Sequence, residues 1–299
     1  MSDRFDFLEF GDEKPVAEAP DAPGYGWKPL RLRAVEMIGS PGSKAGEFNQ
    51  PAGLAVDAWG SLYVADSGNH RIQRITPGGD VYPFGKAGQS PGELWGPQSV
   101  AVAPDGKHFF VAEQGNGRIQ IFHFLGQSGG VVGGLRNPSS VTFDAQGALW
   151  IADTGNGRVL RFDAGKRKFI GEIGANAGVK RPVAVFGDAA HGLWITDSAT
   201  SNVSRYNYGG MRAGGLGDNR RLYEPAQTAI DKEGRIYLAE TGKNRLHVFA
   251  ANGDSLLTYE TTGSRSGPLN APVGVALGPN GEIYLADTGN HRVLRLAWD

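Results

Sequence analysis

The stretch that decides the fold runs Pro51-Ala52-Gly53-Leu54-Ala55-Val56-Asp57, then Gly60-Ser61-Leu62-Tyr63-Val64-Ala65-Asp66, then Ser67-Gly68-Asn69-His70-Arg71 and Ile72-Gln73-Arg74-Ile75. Near the C-terminus the pattern returns almost unchanged. It reads Pro272, Gly274-Val275-Ala276-Leu277, Gly281-Glu282-Ile283-Tyr284-Leu285-Ala286-Asp287, Thr288-Gly289-Asn290-His291-Arg292 and Val293-Leu294-Arg295-Leu296. Four further copies are anchored by Pro97, Pro138, Pro182 and Pro225, so successive prolines stand 46, 41, 44, 43 and 47 residues apart. That spacing is the period of a four-stranded propeller blade, and six copies predict a six-bladed, all-β propeller of antiparallel blades.

Each copy supplies three readable strands. A short apolar run after the proline, such as Val141-Thr142-Phe143, closes in a Gly-containing turn, Asp144-Ala145-Gln146-Gly147. The second strand ends in an acid, as in Leu149-Trp150-Ile151-Ala152-Asp153, and a Gly-Asn turn leads to Arg158-Val159-Leu160-Arg161-Phe162, whose alternation suits a half-buried surface. A fourth strand is expected near Gly79 to Phe84, Phe169 to Ile173 and Ser255 to Tyr259. The sixth copy stops at Asp299, right after its third strand. The segment Leu30-Arg31-Leu32-Arg33-Ala34-Val35-Glu36-Met37-Ile38-Gly39 precedes the first copy and is patterned like the fourth strands, so it is expected to complete the last blade. Closure removes the exposed sheet edges of an open ring.

Composition agrees with this reading. The 299 residues include 46 Gly and 17 Pro but only 3 Met, a balance that favours many turns over long helices. With no Cys, disulfides, thiolate metal sites and thiol redox chemistry are excluded. No apolar run resembles a signal peptide or a membrane span, and a cytoplasmic protein is the expectation. Two regions are expected, a flexible acidic arm over residues 1–28 and a propeller over residues 29–299.

The pattern Pro-x-Gly-(apolar)-Ala-Val-Asp, Gly-x-(Ile/Leu)-Tyr-Val-Ala-Asp, Thr-Gly-Asn-His-Arg resembles the NHL repeat from Phe48 to Leu296. The fourth copy departs most, with Asn202 where the others carry Arg and an irregular turn at Phe186-Gly187-Asp188-Ala189-Ala190-His191. The resemblance implies several functions. Some propellers of this class bind RNA on a basic face. Some are lyases that hold zinc through histidines at the ring mouth, and related six-bladed esterases and lactonases hold calcium with carboxylates in the channel.

The residues here favour none of the catalytic versions. The pairs Asp66 with Arg71, Glu113 with Arg118, Asp153 with Arg158, Glu240 with Arg245 and Asp287 with Arg292 recur blade after blade, which marks a structural requirement, since an active site needs residues that break symmetry. The aromatic position three before the acid (Tyr63, Phe110, Trp150, Trp194, Tyr237, Tyr284) reads as packing between blades. Of the six His, His70 and His291 share a repeat position in adjacent blades and could approach each other, while His108, His123, His191 and His247 occupy unrelated positions; no third ligand is evident where zinc requires about three. The starts of the first strands carry Gln98, Ser99, Ser139, Ser140, Gln227 and Thr228, neutral groups where calcium wants charged oxygens. No catalytic, cofactor-binding or metal-binding residue is assigned, and no cofactor is expected.

Symmetry breaks in two places. On the face shared by the linkers and the second-to-third-strand turns, Lys44, Arg136, Lys180, Arg181, Arg212, Arg220, Arg221 and Arg265 outnumber Glu47, Glu93, Asp218 and Glu224, and Trp95 lies on the same face. The arm, residues 1–28, has seven acids against three bases, a net of −4, leaving +3 for the remainder. Its run Phe5-Asp6-Phe7-Leu8-Glu9-Phe10 has the look of a docking peptide on a tether, expected either to insert into a groove on another protein or to fold back on the basic face, whose excess charge clusters between blades three and five. The expectation is therefore a non-catalytic protein-binding or assembly platform, a scaffold or accessory subunit, possessing a partner-binding surface of Phe5, Phe7, Leu8, Phe10, Trp95, Arg136, Lys180, Arg181, Arg212, Arg220 and Arg221. A channel-mouth lyase or hydrolase and an RNA-binding propeller are the alternatives, the second weakened by a pI near 6.6.

Overall fold

The computed structural model describes residues 8–9 (backbone alone), 30–188, 192–216, 222–260 and 266–299. Blade 1 consists of Pro51–Val56, Leu62–Asp66, Arg71–Ile75 and Val81–Phe84. Blade 2 is Pro97–Val102, His108–Glu113, Arg118–His123 and Ser128–Val132. Blade 3 is Ser140–Phe143, Leu149–Asp153, Arg158–Asp163 and Lys168–Ile173. Blade 4, despite its irregular sequence, is Pro182–Gly187, Gly192–Asp197, Asn202–Asn207 and Arg212–Leu216. Blade 5 is Pro225–Ile230, Ile236–Glu240, Arg245–Phe249 and Ser255–Tyr259. In each the four strands are hydrogen-bonded in chain order.

Blade 6 draws on both ends of the chain. Val275–Leu277, Ile283–Asp287 and Arg292–Trp298 are followed, in space, by Leu32–Ile38. The register runs from Leu32 opposite Trp298 to Ile38 opposite Val293, with an irregularity between Ala34 and Glu36. Ala34 and Ile38 are buried, Arg295 pairs with Glu36, and an Arg292 Nη1 reaches the Met37 sulfur. The expected closure by residues 30–39 is thus the observed one. A fifth strand, Leu8–Glu9, lies antiparallel on the outer edge of this closing strand, Leu8 opposite Met37 and Glu9 opposite Glu36.

The core explains why the sequence alternates as it does. Among the described residues the buried apolar side chains fall into six clusters, one at each interface between neighbouring blades. Successive residues of a strand point to opposite faces. Leu149 and Ile151 therefore pack toward blade 2 while Trp150 and Ala152 pack toward blade 4. The second strands are buried on both faces, and so are Val159, Leu160 and Phe162 of a third strand read from sequence as half-buried. The first strands approach so closely that a Cβ on Gly274 would lie 2.1 Å from the Ala52 carbonyl oxygen, and one on Gly53 2.6 Å from that of Gln98. No helix among the described residues is long and apolar enough to cross a membrane.

Candidate functional site

The acid that ends each second strand is a clamp on the incoming linker. Asp66, fully buried, accepts the Asn49 N–H at 2.7 Å, Asn69 Nδ2–H at 2.9 Å, Arg71 Nε–H at 2.7 Å and Gln73 Nε2–H at 3.0 Å. Arg71 in turn donates to the carbonyls of Ser43, Lys44 and Glu47, and so ties down the same linker. Blade 2 repeats the device: Glu113 holds the Trp95 N–H, Asn116 and Arg118, and Arg118 binds the carbonyls of Gln89, Ser90 and Glu93. Asp153 with Arg158, Glu240 with Arg245 and Asp287 with Arg292 make the same ion pair at 2.9, 2.7 and 2.8 Å. Where Asn202 replaces Arg, Asp197 accepts four backbone N–H groups instead, from Lys180, Arg181, Ala199 and Thr200. Burial pushes the Glu240 pKa up, but hydrogen bonds from His247, Arg245 and the Tyr223 N–H outweigh it and hold the carboxyl at about 2.

In every blade the linker residue so clamped is held by its backbone. The six are Asn49, Trp95, Arg136, Lys180, Tyr223 and Asn270. Four side chains, those of Asn49, Trp95, Arg136 and Asn270, lie over the glycine of the adjoining turn: Gly68, Gly115, Gly155 and Gly289. The backbone is therefore common while the displayed side chain differs. Trp95 is 48% exposed and stacks on His70 with ring centroids 4.6 Å apart. Arg136, Lys180 and Arg181 are exposed and make no ion pair among the described residues. Tyr223 is 39% exposed under the Lys243 ammonium, 4.2 Å from its ring centre. Blades 2 to 5 thus present an aromatic, two cations and an aromatic in succession. Sequence reading missed Tyr223, although its place 17 residues before the acid, like Arg136 before Asp153, was available as a signal.

Arg212 does not belong to this face. It opens the outermost strand of blade 4 opposite Tyr206, at the end remote from the turn, whereas Leu216 lies opposite Val203 beside it. Arg220, Arg221, Phe5, Phe7 and Phe10 fall outside the described residues, and Leu8 lies in the strand on the edge of blade 6, not against blades 3 to 5.

At the centre of the linker face the ring opens into a cavity of about 350 Å³. Gln227 lines it and ties three blades together, its Oε1 accepting the N–H groups of Leu54 and Val275 from two other blades. Cross-blade ties join neighbouring blades: the hydroxyls of Ser67, Thr154, Thr241 and Thr288 each donate to the carbonyl of the proline opening the next blade, Pro97, Pro182, Pro272 and Pro51, and Thr154 and Thr241 line the cavity. His70 and His291 serve the same end, each accepting a linker N–H at Nδ1, from Gly96 and Gln50, both at 3.0 Å. Their proton therefore sits on Nε2, and they face successive linkers, not each other. Among the described residues no three His, Cys, Asp or Glu are grouped to hold a metal.

The NHL repeat family matches residues 48–75, 135–162 and 269–296, which are blades 1, 3 and 6. The Protein brain tumor of Drosophila melanogaster is 34% identical over 130 residues, 42% of this chain and 12% of that one. NHL repeat-containing protein 3 of Homo sapiens is 30% identical over 132 residues, 39% of this chain and 37% of the relative. The matched segments are thus well under half the length of these relatives. Virginiamycin B lyase from Staphylococcus aureus superimposes with a TM-score of 0.64 at 14% identity, covering 90% of this chain and 99% of the lyase, a likeness of fold.

Proposed function

The chain is an NHL-repeat six-bladed β-propeller, and from that premise we propose that it is a protein-binding platform that docks a partner on its linker face. One observation carries the reading. The repeated polar residues are consumed by the scaffold, while the position clamped only through its backbone shows Trp95, Arg136, Lys180 and Tyr223 side by side. A half-exposed Trp and a Tyr flanking Arg and Lys have the composition of an interface anchor, in which aromatic and Arg residues carry most of the binding energy. The N-terminal arm is the second contact in this proposal, and the setting is a cytoplasmic assembly. The lyase alternative is less well supported, because His70 and His291 spend their Nδ1 atoms on linker N–H groups.

The test is quantitative co-purification of tagged wild type and a Trp95→Ala, Arg136→Ala, Lys180→Ala triple variant from host cells. Selective loss of a protein partner from the triple variant, with retention by a Leu125→Ser, Met211→Ser control altered at exposed apolar sites elsewhere, supports the proposal. Identical partner sets refute it. Retention of RNA in place of protein, falling steeply with salt, would transfer the face to the RNA-binding reading.

A further inference from the structure

We infer that the cavity at the channel mouth is a binding site for a small zwitterion, of free amino-acid or dipeptide size. Its basis is where the ring departs from its own symmetry. Four blades spend a hydroxyl on the carbonyl of the next blade. Blade 2 has Gln114 at that position, and blade 4 has Ser198, which turns back to the Arg181 carbonyl of its own linker. Both exceptions line the cavity. Blade 4 also lacks a feature of the other linkers: the residue before the first-strand proline is left-handed at Gln50, Gly96, Asn137, Glu224 and Ala271, but not at Arg181. Its N–H is drawn to Asp197 instead, and Arg181 lines the cavity.

The groups left unspent define the ligand. Arg181 and Glu224, on adjacent linkers, both line the cavity, and among the described residues neither side chain has an ion pair with the other or with any third group. The amides of Gln98 and Gln114 are likewise without a side-chain hydrogen bond among the described residues. A cation and an anion kept apart in one pocket are matched by a molecule bearing the opposite pair, its carboxylate forked on Arg181 and its ammonium on Glu224. Val183, Pro225, Ala226 and Val273 offer an apolar wall, and Gln98 and Gln114 polar contacts for the remainder. The volume lies at the small end of ligand pockets, which excludes large cofactors. The cavity opens on the same face, but the docking proposal rests on Trp95, Arg136, Lys180 and Tyr223, none of which lines it, so either stands without the other.

The experiment is a thermal-shift screen of the full chain against the free L-amino acids and glycylglycine at millimolar concentration, with calorimetric titration of each probe that raises the melting temperature. At least one probe is expected to bind, its N-acetyl and C-amide derivatives are expected not to, and Arg181→Ala and Glu224→Gln are each expected to weaken it about tenfold or more. Both variants should keep the melting temperature of the unliganded wild type, and Lys107→Ala, in a turn outside the cavity, should leave affinity unchanged. Failure of every probe to bind, equal binding of the blocked derivatives, or wild-type affinity in both variants overturns the inference.

Discussion

Asp66→Ala removes the acceptor at the centre of the blade 1 clamp. It leaves the Asn49 N–H and Gln73 Nε2 each short of a partner and strands the Arg71 guanidinium, whose side chain is only 12% exposed. Breaking a buried pair from one side costs about 3–5 kcal/mol, because the surviving charge stays desolvated. At this size each kcal/mol corresponds to a fall of about 2 °C in Tm, so a loss of ~8 °C is expected. Blade 4 provides an internal control. Asp197→Ala exposes backbone N–H groups that water can reach but strands no cation, and should cost about 1–3 kcal/mol. Urea unfolding followed by tryptophan fluorescence gives both values. Adding Arg71→Ala to Asp66→Ala should recover part of the loss, with a coupling of ~1–3 kcal/mol. If Asp66→Ala costs less than Asp197→Ala, or if the double variant shows no coupling, the acid–arginine pairs are not the scaffold ties described above.

Gly274→Ala forces a Cβ to within 2.1 Å of the Ala52 carbonyl oxygen, a backbone atom that cannot swing aside, so blade 6 must part from blade 1 and stability should fall by about 3 kcal/mol or more; an unchanged Tm would refute the close approach of the first strands. Deleting residues 30–39 leaves the edge of Arg292–Trp298 unpaired and should abolish soluble monomer on size-exclusion chromatography, whereas a folded monomer would refute closure. Glu240 has a folded-state pKa of about 2 against an ordinary 4.5, so its contribution is fully present above about pH 4.5 and is lost as the pH falls through about 2. Glu240→Gln should therefore cost about 3 kcal/mol above pH ~4.5 and progressively less toward pH ~2. A gap between wild type and variant that does not narrow on acidification rules this out.

The blades were legible in the sequence because each repeats one solution to one packing problem, and six copies average out local ambiguity. Closure was legible because a missing fourth strand at Asp299 leaves a definite vacancy for Leu32–Ile38 to fill. The linkers were harder. Gly209-Gly210-Met211-Arg212-Ala213-Gly214-Gly215 contains no β-branched residue and reads as loop, yet Arg212–Leu216 is the outermost strand of blade 4, held by pairing and not by propensity. Hence Arg212 was placed on the wrong face. Tyr223 escaped notice for a related reason: its role is fixed by distance from Glu240, and nothing in its immediate neighbours marks it.

The clamp itself accounts for where function can reside on such a ring. Asp66 and its counterparts recognise a peptide N–H, a group that every residue except proline supplies, so the side chain at the clamped position is not constrained by the bond that fixes its backbone. Asn, Trp, Arg, Lys and Tyr all occupy it in one molecule. A strand residue such as Trp150 has no such freedom, since its ring fills an interface and its Nε1–H is committed to Asp144. Substitution at the clamped position consequently alters what the linker face presents at little cost to folding, while substitution in the blades alters folding first. Rigid backbone and free side chain are what a binding surface requires, because the entropy of ordering the loop has been spent in folding and is not charged again to the complex.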